Sequence, residues 1–71
     1  MREREIWVNH KNLPMFIHPN DVVPVYDYDD DMYVNLKVQG SGIFESGELE
    51  GFEWFLATNI DTGEIVRVVI K

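Results

Sequence analysis

Short apolar runs alternate with turn-forming residues along the whole chain, and no segment repeats its apolar residues at the 3.6-residue period of a helix. Runs of Val, Ile, Phe and Tyr bounded by Gly, Pro, Asn and Asp are typical of strands. The pattern predicts strands over residues 5–8, 15–18, 22–28, 32–39, 52–60 and 64–70. A short extra hairpin is predicted from 43–45 with 48–50. We therefore expect an all-β fold with residues 1–71 as a single small β domain. Its predicted architecture is a small antiparallel meander of five to seven strands, forming a curled sheet or an SH3-like barrel.

The register of the first long hairpin follows from keeping its apolar side chains on one face. With a two-residue turn at 29–30, Val25 pairs with Val34. Val23 then pairs with Leu36 on the same face. A slip by one residue would mix apolar and charged side chains on that face. The sequence therefore places a cluster of aspartates at and beside the tip of this hairpin, where Asp suits the turn.

The second long hairpin is predicted to turn at 61–63, with Gly63 in the left-handed position of a three-residue loop. This turn places Trp54 and Leu56 in the core. The opposite face would then be more apolar than a solvent-exposed face usually is. It would be covered by the N-terminal segment, by a second copy of the chain or by another protein. The predicted self-association residues on that face are Phe55, Ala57, Ile65 and Val69.

The charge of the chain is strongly acidic and unevenly distributed. The formal net charge is −7, and residues 27–64 hold ten Asp and Glu against one Lys, a net of −9. Such a body repels the phosphates of nucleic acids, so direct nucleic-acid binding is disfavoured. The favoured partner is a protein with a basic surface. The predicted partner-binding residues are Tyr28, Asp29, Asp30, Asp31, Glu45, Glu48 and Glu50.

Metal sites find little support in the sequence. Asp27, Asp29 and Asp31 have the spacing that opens a calcium-binding EF-hand loop. Met32 stands where that loop needs glycine, however, and Val38 stands where it needs a bidentate glutamate. A loose surface site for a hard cation is the remaining alternative. The chain has no cysteine, and its two histidines, His10 and His18, lie near predicted turns, where histidines are far more often solvated than zinc-bound. We predict no metal and no cofactor.

Catalytic motifs are also absent from the sequence. Gly42 and Gly47 have the spacing of a phosphate-binding loop, but Glu48 stands where that motif requires lysine. The serines and histidines occur outside any recognisable catalytic context. A core of this size leaves little room for a water-excluding pocket. We therefore predict that the protein is not an enzyme.

Localisation is predicted from what the chain lacks. The opening residues, MREREIWV, have no apolar run of the kind found in signal peptides. The apolar stretches are far shorter than a membrane span. We expect a soluble, cytoplasmic protein that does not contact membranes.

These features favour a non-enzymatic small acidic binding module that docks a basic protein surface. In its sharpest form the hypothesis is an inhibitor that imitates the charge of nucleic acid, as some small acidic phage proteins do. One alternative is a structural or accessory protein that associates with itself as a homo-oligomer. The other alternative is a weak cation-binding domain.

Overall fold

The computed structural model describes residues 4–71, and the strands within that range form one sheet. The strands are Arg4–Val8 (β1), Val22–Asp27 (β2), Met32–Ile43 (β3), Glu53–Asn59 (β4) and Ile65–Ile70 (β5). One turn of 3-10 helix, His10–Asn12, follows β1. The strand order is β1-β5-β4-β3-β2, and the sheet curls into a half-barrel. The prediction of an all-β, curled sheet is confirmed.

The first strand departs from a purely antiparallel meander. β1 pairs with β5 in parallel, whereas the three other neighbouring pairs are antiparallel. Two parallel strands cannot be joined by a tight hairpin. Here β2, β3 and β4 lie between β1 and β5 in the sequence. β1 and β2 therefore become the two edges of the sheet. The curl brings the first residue of β1, Arg4, beside the last residue of β2, Asp27.

The predicted register of the β2–β3 hairpin is confirmed. Val25 lies opposite Val34, and Val23 lies opposite Leu36. All four side chains are buried in the core. A slip by one residue would turn the apolar side chains of one of the two strands to solvent, so the alternating pattern selects this register strongly. The same alternation carries Asp27 onto the inner face, where it is 1% exposed.

The predicted register of the β4–β5 hairpin is wrong by one residue. The predicted three-residue turn would place Leu56 opposite Val68. In the structure Phe55 lies opposite Val68 instead. Because side chains alternate along a strand, this slip exchanges the two faces of β4. Phe55 is therefore 1% exposed and belongs to the core. Trp54 and Leu56 lie on the outer face, where they are half-buried.

Asn59 is responsible for the change of register. Its side-chain oxygen accepts the backbone N–H groups of Asp61 at 2.9 Å and of Thr62 at 3.3 Å. Asn commonly organises a turn in this way. The backbone carbonyl of Asn59 accepts the N–H of Gly63 at 2.8 Å, and Gly63 has a φ of +79°. The turn therefore has four residues, 60–63, instead of the predicted three.

The residues predicted for self-association do not form an exposed face. Phe55 and Ala57 are part of the core, because the register turns them inward. Val69 lies on the outer face and is also fully buried, while Ile65 is half-buried. The prediction of an apolar docking face made of these four residues is wrong.

Aromatic side chains cover the outer face instead. Val69 lies between Trp7 of β1 and Trp54 of β4 in the ladder. The indole of Trp54 lies over Gly42, where a Cβ atom would come within 2.8 Å of the ring. The ring centroids of Trp54 and Phe44 are 6.4 Å apart. Glycine at position 42 therefore makes room for the ring that seals this part of the sheet.

The predicted strand at 15–18 is a loop. His18 donates its backbone N–H to the Asp21 carboxylate at 3.0 Å, which closes a local turn instead of pairing with a strand. Met15 is 89% exposed and Phe16 is 72% exposed. Met15 and Phe16 thus reach solvent, whereas Ile17 is half-buried and packs against the core.

The predicted extra hairpin of 43–45 with 48–50 does not form. Phe44 donates its backbone N–H to the carbonyl of Phe52 at 2.9 Å. The N–H of Gly51 in turn bonds to the carbonyl of Phe44 at 2.9 Å. These bonds make the segment the closing turn of the β3–β4 hairpin, so β3 is longer than predicted.

Candidate functional site

The predicted partner-binding residues lie at opposite ends of β3. Tyr28 and residues 29–31 belong to the turn before β3. Glu45, Glu48 and Glu50 belong to the turn after it. The two turns are separated by the 12 residues of β3, and the longest dimension of the described fold is 32 Å. The structure therefore does not bring the two sets together into one cluster.

Carboxylates from separate parts of the chain meet at one end of the sheet. The β2–β3 turn supplies residues 29–31, and β2 ends in Asp27. The β4–β5 turn lies at the same end, because alternate turns of a meander share an end, and it adds Asp61 and Glu64. We call these six carboxylates, Asp27, Asp29, Asp30, Asp31, Asp61 and Glu64, the acidic end.

The tip of the β2–β3 hairpin uses two of these aspartates for its local structure. Asp27 accepts the backbone N–H of Asp29 on Oδ1 at 3.0 Å. Asp31 has a φ of +53°, a left-handed conformation that Asp tolerates better than most residues. The side chain of Asp29 is 77% exposed, and Asp30 is also exposed. The tip therefore carries two exposed carboxylates, Asp29 and Asp30, in addition to the two aspartates that shape the turn.

Arg4 contacts three of the six carboxylates of the acidic end. Its guanidinium donates from Nη2 to Oε1 of Glu64 at 2.9 Å and from Nε to Oε2 at 3.3 Å. Nη1 lies 2.7 Å from Oδ2 of Asp27 and 3.6 Å from Oδ2 of Asp29. The hydrogen bonds to Glu64 and Asp27 raise the pKa of Arg4 further above its already high ordinary value. Since Arg4 begins β1 and Asp27 ends β2, this clasp joins the two edges of the half-barrel.

The clasp also controls the ionisation of Asp27. Burial by itself would raise the pKa of the Asp27 carboxyl. The Arg4 guanidinium and the backbone N–H of Asp29 outweigh that effect, and the pKa lies below its usual range. Asp27 is therefore ionised in the folded protein, although its side chain is 1% exposed.

This ionisation predicts how stability depends on pH. The folded chain binds a proton at Asp27 less readily than the unfolded chain, so protonation favours unfolding. The stabilisation by Asp27 is present above about pH 4 and is lost as the pH falls through the lower folded-state pKa. We expect the urea midpoint to fall as the pH is lowered below about 4, and to fall less steeply in Asp27→Asn.

The Arg4→Met variant provides the control for that measurement. Without the guanidinium, burial dominates and should raise the pKa of Asp27 above its ordinary value. The contribution of Asp27 then changes sign, and acid should stabilise the folded state of this variant relative to neutral pH. A wild-type pH profile in Arg4→Met would show that the clasp does not set the ionisation of Asp27.

Three tyrosines lie beside the acidic end. Tyr26 of β2 lies opposite Tyr33 of β3, and their ring centroids are 5.2 Å apart at an interplanar angle of 80°. The Tyr28 ring lies 4.9 Å from that of Tyr26 at 69°. The hydroxyl of Tyr26 donates to the Asp31 carboxylate, which raises the pKa of Tyr26. These rings form part of an open groove of about 550 Å³. Its other lining residues are Asp31, Pro24 and Val25 of β2, Val8 of β1, Asn12 and Leu13.

A larger open groove, of about 730 Å³, lies away from the acidic end. Its apolar lining includes Leu13, Ile43 and Trp54. His10 and Lys11 are its basic residues. Glu53 also lines it, so this groove combines apolar surface with charges of both signs, and its chemistry differs from that of the acidic end.

The aspartate spacing at the hairpin tip does not produce a set of metal ligands. Within residues 4–71, no three His, Asp or Glu side chains converge as a metal ion requires. Asp27 is turned inward and is bonded to Arg4, whereas Asp29 and Asp31 stand at the surface. What the acidic end can do chemically is attract and pair with cationic groups.

The clasp of Arg4 with Asp27 and Glu64 was missed in the sequence. One signal for part of it was present, because Asp27 continues the alternation of Val23 and Val25. A charged residue on the apolar face of a strand requires a partner of opposite charge. Here the partner is Arg4, and its position depends on the parallel pairing of β1 with β5.

Comparisons of the chain with protein-family models, with curated proteins and with solved structures find no match in any of the three. Over residues 4–71, the fold contains no helix long and apolar enough to cross a membrane.

Proposed function

We propose that this protein is a non-enzymatic binding module that docks a basic protein surface through its acidic end. The observation that carries the proposal is the convergence of carboxylates from β2, the β2–β3 turn and the β4–β5 turn on one side of the molecule. Like charges brought together repel one another, and a cationic partner relieves that repulsion. Such a surface accelerates association with a basic protein by electrostatic steering.

The arrangement also supports the sharper form of the proposal, an inhibitor that occupies a nucleic-acid-binding surface. Nucleic acids present closely spaced negative charges to their binding proteins. In the acidic end, Asp29, Asp30 and Asp31 are successive exposed residues of one turn, and Arg4 ties the strand before that turn to Glu64 through Asp27. A rigid array of charges loses less entropy on binding than a flexible acidic tail would. The partner would then be a protein whose basic surface also binds DNA or RNA.

The two acidic turns allow a matched experiment. The wild-type protein, the variant Asp29→Asn/Asp30→Asn/Asp31→Asn and the variant Glu45→Gln/Glu48→Gln/Glu50→Gln are each immobilised and exposed to an extract of the cells that produce the protein. Each variant removes three charges, from opposite ends of β3. We expect a basic protein to be retained by the wild type and by the glutamine variant, and to be lost from the asparagine variant. Equal retention by all three proteins would refute docking through the acidic end.

A further inference from the structure

Building on the proposed docking function, we propose that the groove between Tyr26, Tyr28 and Tyr33 is a binding site for an arginine side chain of the partner. The rings meet at interplanar angles of 69° and 80°. They therefore offer both faces and edges to a ligand in the groove. The groove, of about 550 Å³, is large enough for a guanidinium and the chain that carries it.

The high exposure of the tyrosines favours a role in binding over a role in packing. Tyr28 is 71% exposed and Tyr33 is 68% exposed. The face of an aromatic ring carries partial negative charge, which attracts a cation placed over it. Exposed tyrosines are also typical anchors of protein interfaces, because a large ring is immobilised at low entropic cost.

The charges around the groove favour a ligand that carries positive charge. The carboxylate of Asp31 lies against the Tyr26 hydroxyl at the wall of the groove. Asp29 and Asp30 are exposed in the same turn. This field attracts a cationic side chain and repels the phosphates that would accompany a stacked nucleobase.

Arginine fits this combination of groups better than lysine. The guanidinium is planar, stacks on aromatic rings and donates two parallel hydrogen bonds to a carboxylate. The chain already uses cation–π contacts on its outer face. Arg67 lies 5.2 Å from the ring centroid of Trp54, and Lys71 lies 5.2 Å from that of Trp7. At the tyrosine groove the partner would supply the cation.

The test uses three probes with the full chain at low salt. They are an acetylated and amidated hexa-arginine peptide, the corresponding hexa-lysine peptide and a six-residue single strand of thymidylate. Binding is followed by NMR through the ring protons of the tyrosines. We expect hexa-arginine to shift all three rings and to bind several-fold more tightly than hexa-lysine, and we expect the oligonucleotide not to bind. Equal affinity for the two peptides, or binding of the oligonucleotide to the rings, would overturn the assignment.

Matched variants separate the rings from the general charge. Tyr33→Leu keeps an apolar side chain at an exposed position and should weaken hexa-arginine binding by about twofold to thirtyfold, the range of a cation–π contact. Tyr33→Phe retains the ring face and should bind nearly as the wild type does. Phe16→Leu, at an exposed aromatic outside the groove, should have no effect. Unchanged affinity in Tyr33→Leu would contradict the proposal.

The two proposals fail in different ways. If the groove is wrong and docking is right, Asp29→Asn/Asp30→Asn/Asp31→Asn weakens hexa-arginine binding whereas Tyr33→Leu does not. If docking through the acidic end is wrong, the triple variant retains the captured partner as tightly as the wild type does, whatever its affinity for the peptide. Chemical shifts away from the groove report whether each variant remains folded.

Discussion

The Phe55→Ala variant is expected to lose about 3–5 kcal/mol of unfolding free energy, the usual cost of removing a buried ring from a core. The ring is 1% exposed and packs within the main apolar cluster. Since a small domain has about 5–15 kcal/mol in total, the loss is a large part of its stability. Urea denaturation followed by tryptophan fluorescence measures it.

Leu56→Ala is the matched control for Phe55→Ala. Leu56 is the next residue of β4 and lies half-buried on the outer face, so we expect a loss of about 1 kcal/mol. If Phe55→Ala does not fold, Phe55→Leu retains an apolar side chain and provides a measurable midpoint. A larger loss in Leu56→Ala than in either Phe55 variant would support the alternative register, in which Leu56 faces the core.

Arg4→Met should be the second most destabilising of these changes, by about 2–4 kcal/mol at neutral pH. Methionine replaces the apolar stem of the arginine but leaves the buried Asp27 carboxylate without its cation. The expected loss is below that for a fully buried ion pair, because the Arg4 side chain is 27% exposed. Urea denaturation at low salt measures the change.

The double variant Arg4→Met/Asp27→Asn tests the cause of that loss. The asparagine introduced at position 27 is neutral, and its side-chain oxygen can still accept the N–H of Asp29, so the uncompensated charge is removed while the turn is kept. We expect the double variant to be more stable than Arg4→Met alone by about 1–2 kcal/mol. Simple addition of the two single losses would indicate that Arg4 acts through packing instead of charge.

The two hairpins show what the sequence could and could not determine. In β3 one face is apolar and the other carries Asn35, Lys37 and Gln39, so the alternation selected the correct register with β2. In β4 both faces are apolar, with Phe55 and Ala57 on one side and Trp54 and Leu56 on the other. Burial then favours either register about equally, and the turn decides. The bonds of Asn59 were the deciding feature, and an Asn directly before a turn was the signal that could have revealed them.

The candidate site was predictable where it depends on local structure and unpredictable where it depends on distant contacts. The turn at 28–31 follows from the hairpin register, so the exposure of its aspartates was anticipated. The clasp requires β1 to pair with β5 in parallel, and no local pattern encodes that pairing. The glutamates at 45–50 lie far from the aspartates because β3 continues without a break over 12 residues. The glycines near the end of β3 obscured that length in the sequence.

The most direct test of docking through the acidic end is the association rate constant with the captured basic partner, measured as a function of ionic strength. Steering by exposed charges acts mainly on association and is screened by salt. For Asp29→Asn/Asp30→Asn/Asp31→Asn we predict a rate constant about tenfold below that of the wild type at low salt, with a flatter salt dependence. Rate constants that coincide for the two proteins at every ionic strength would contradict the proposed function.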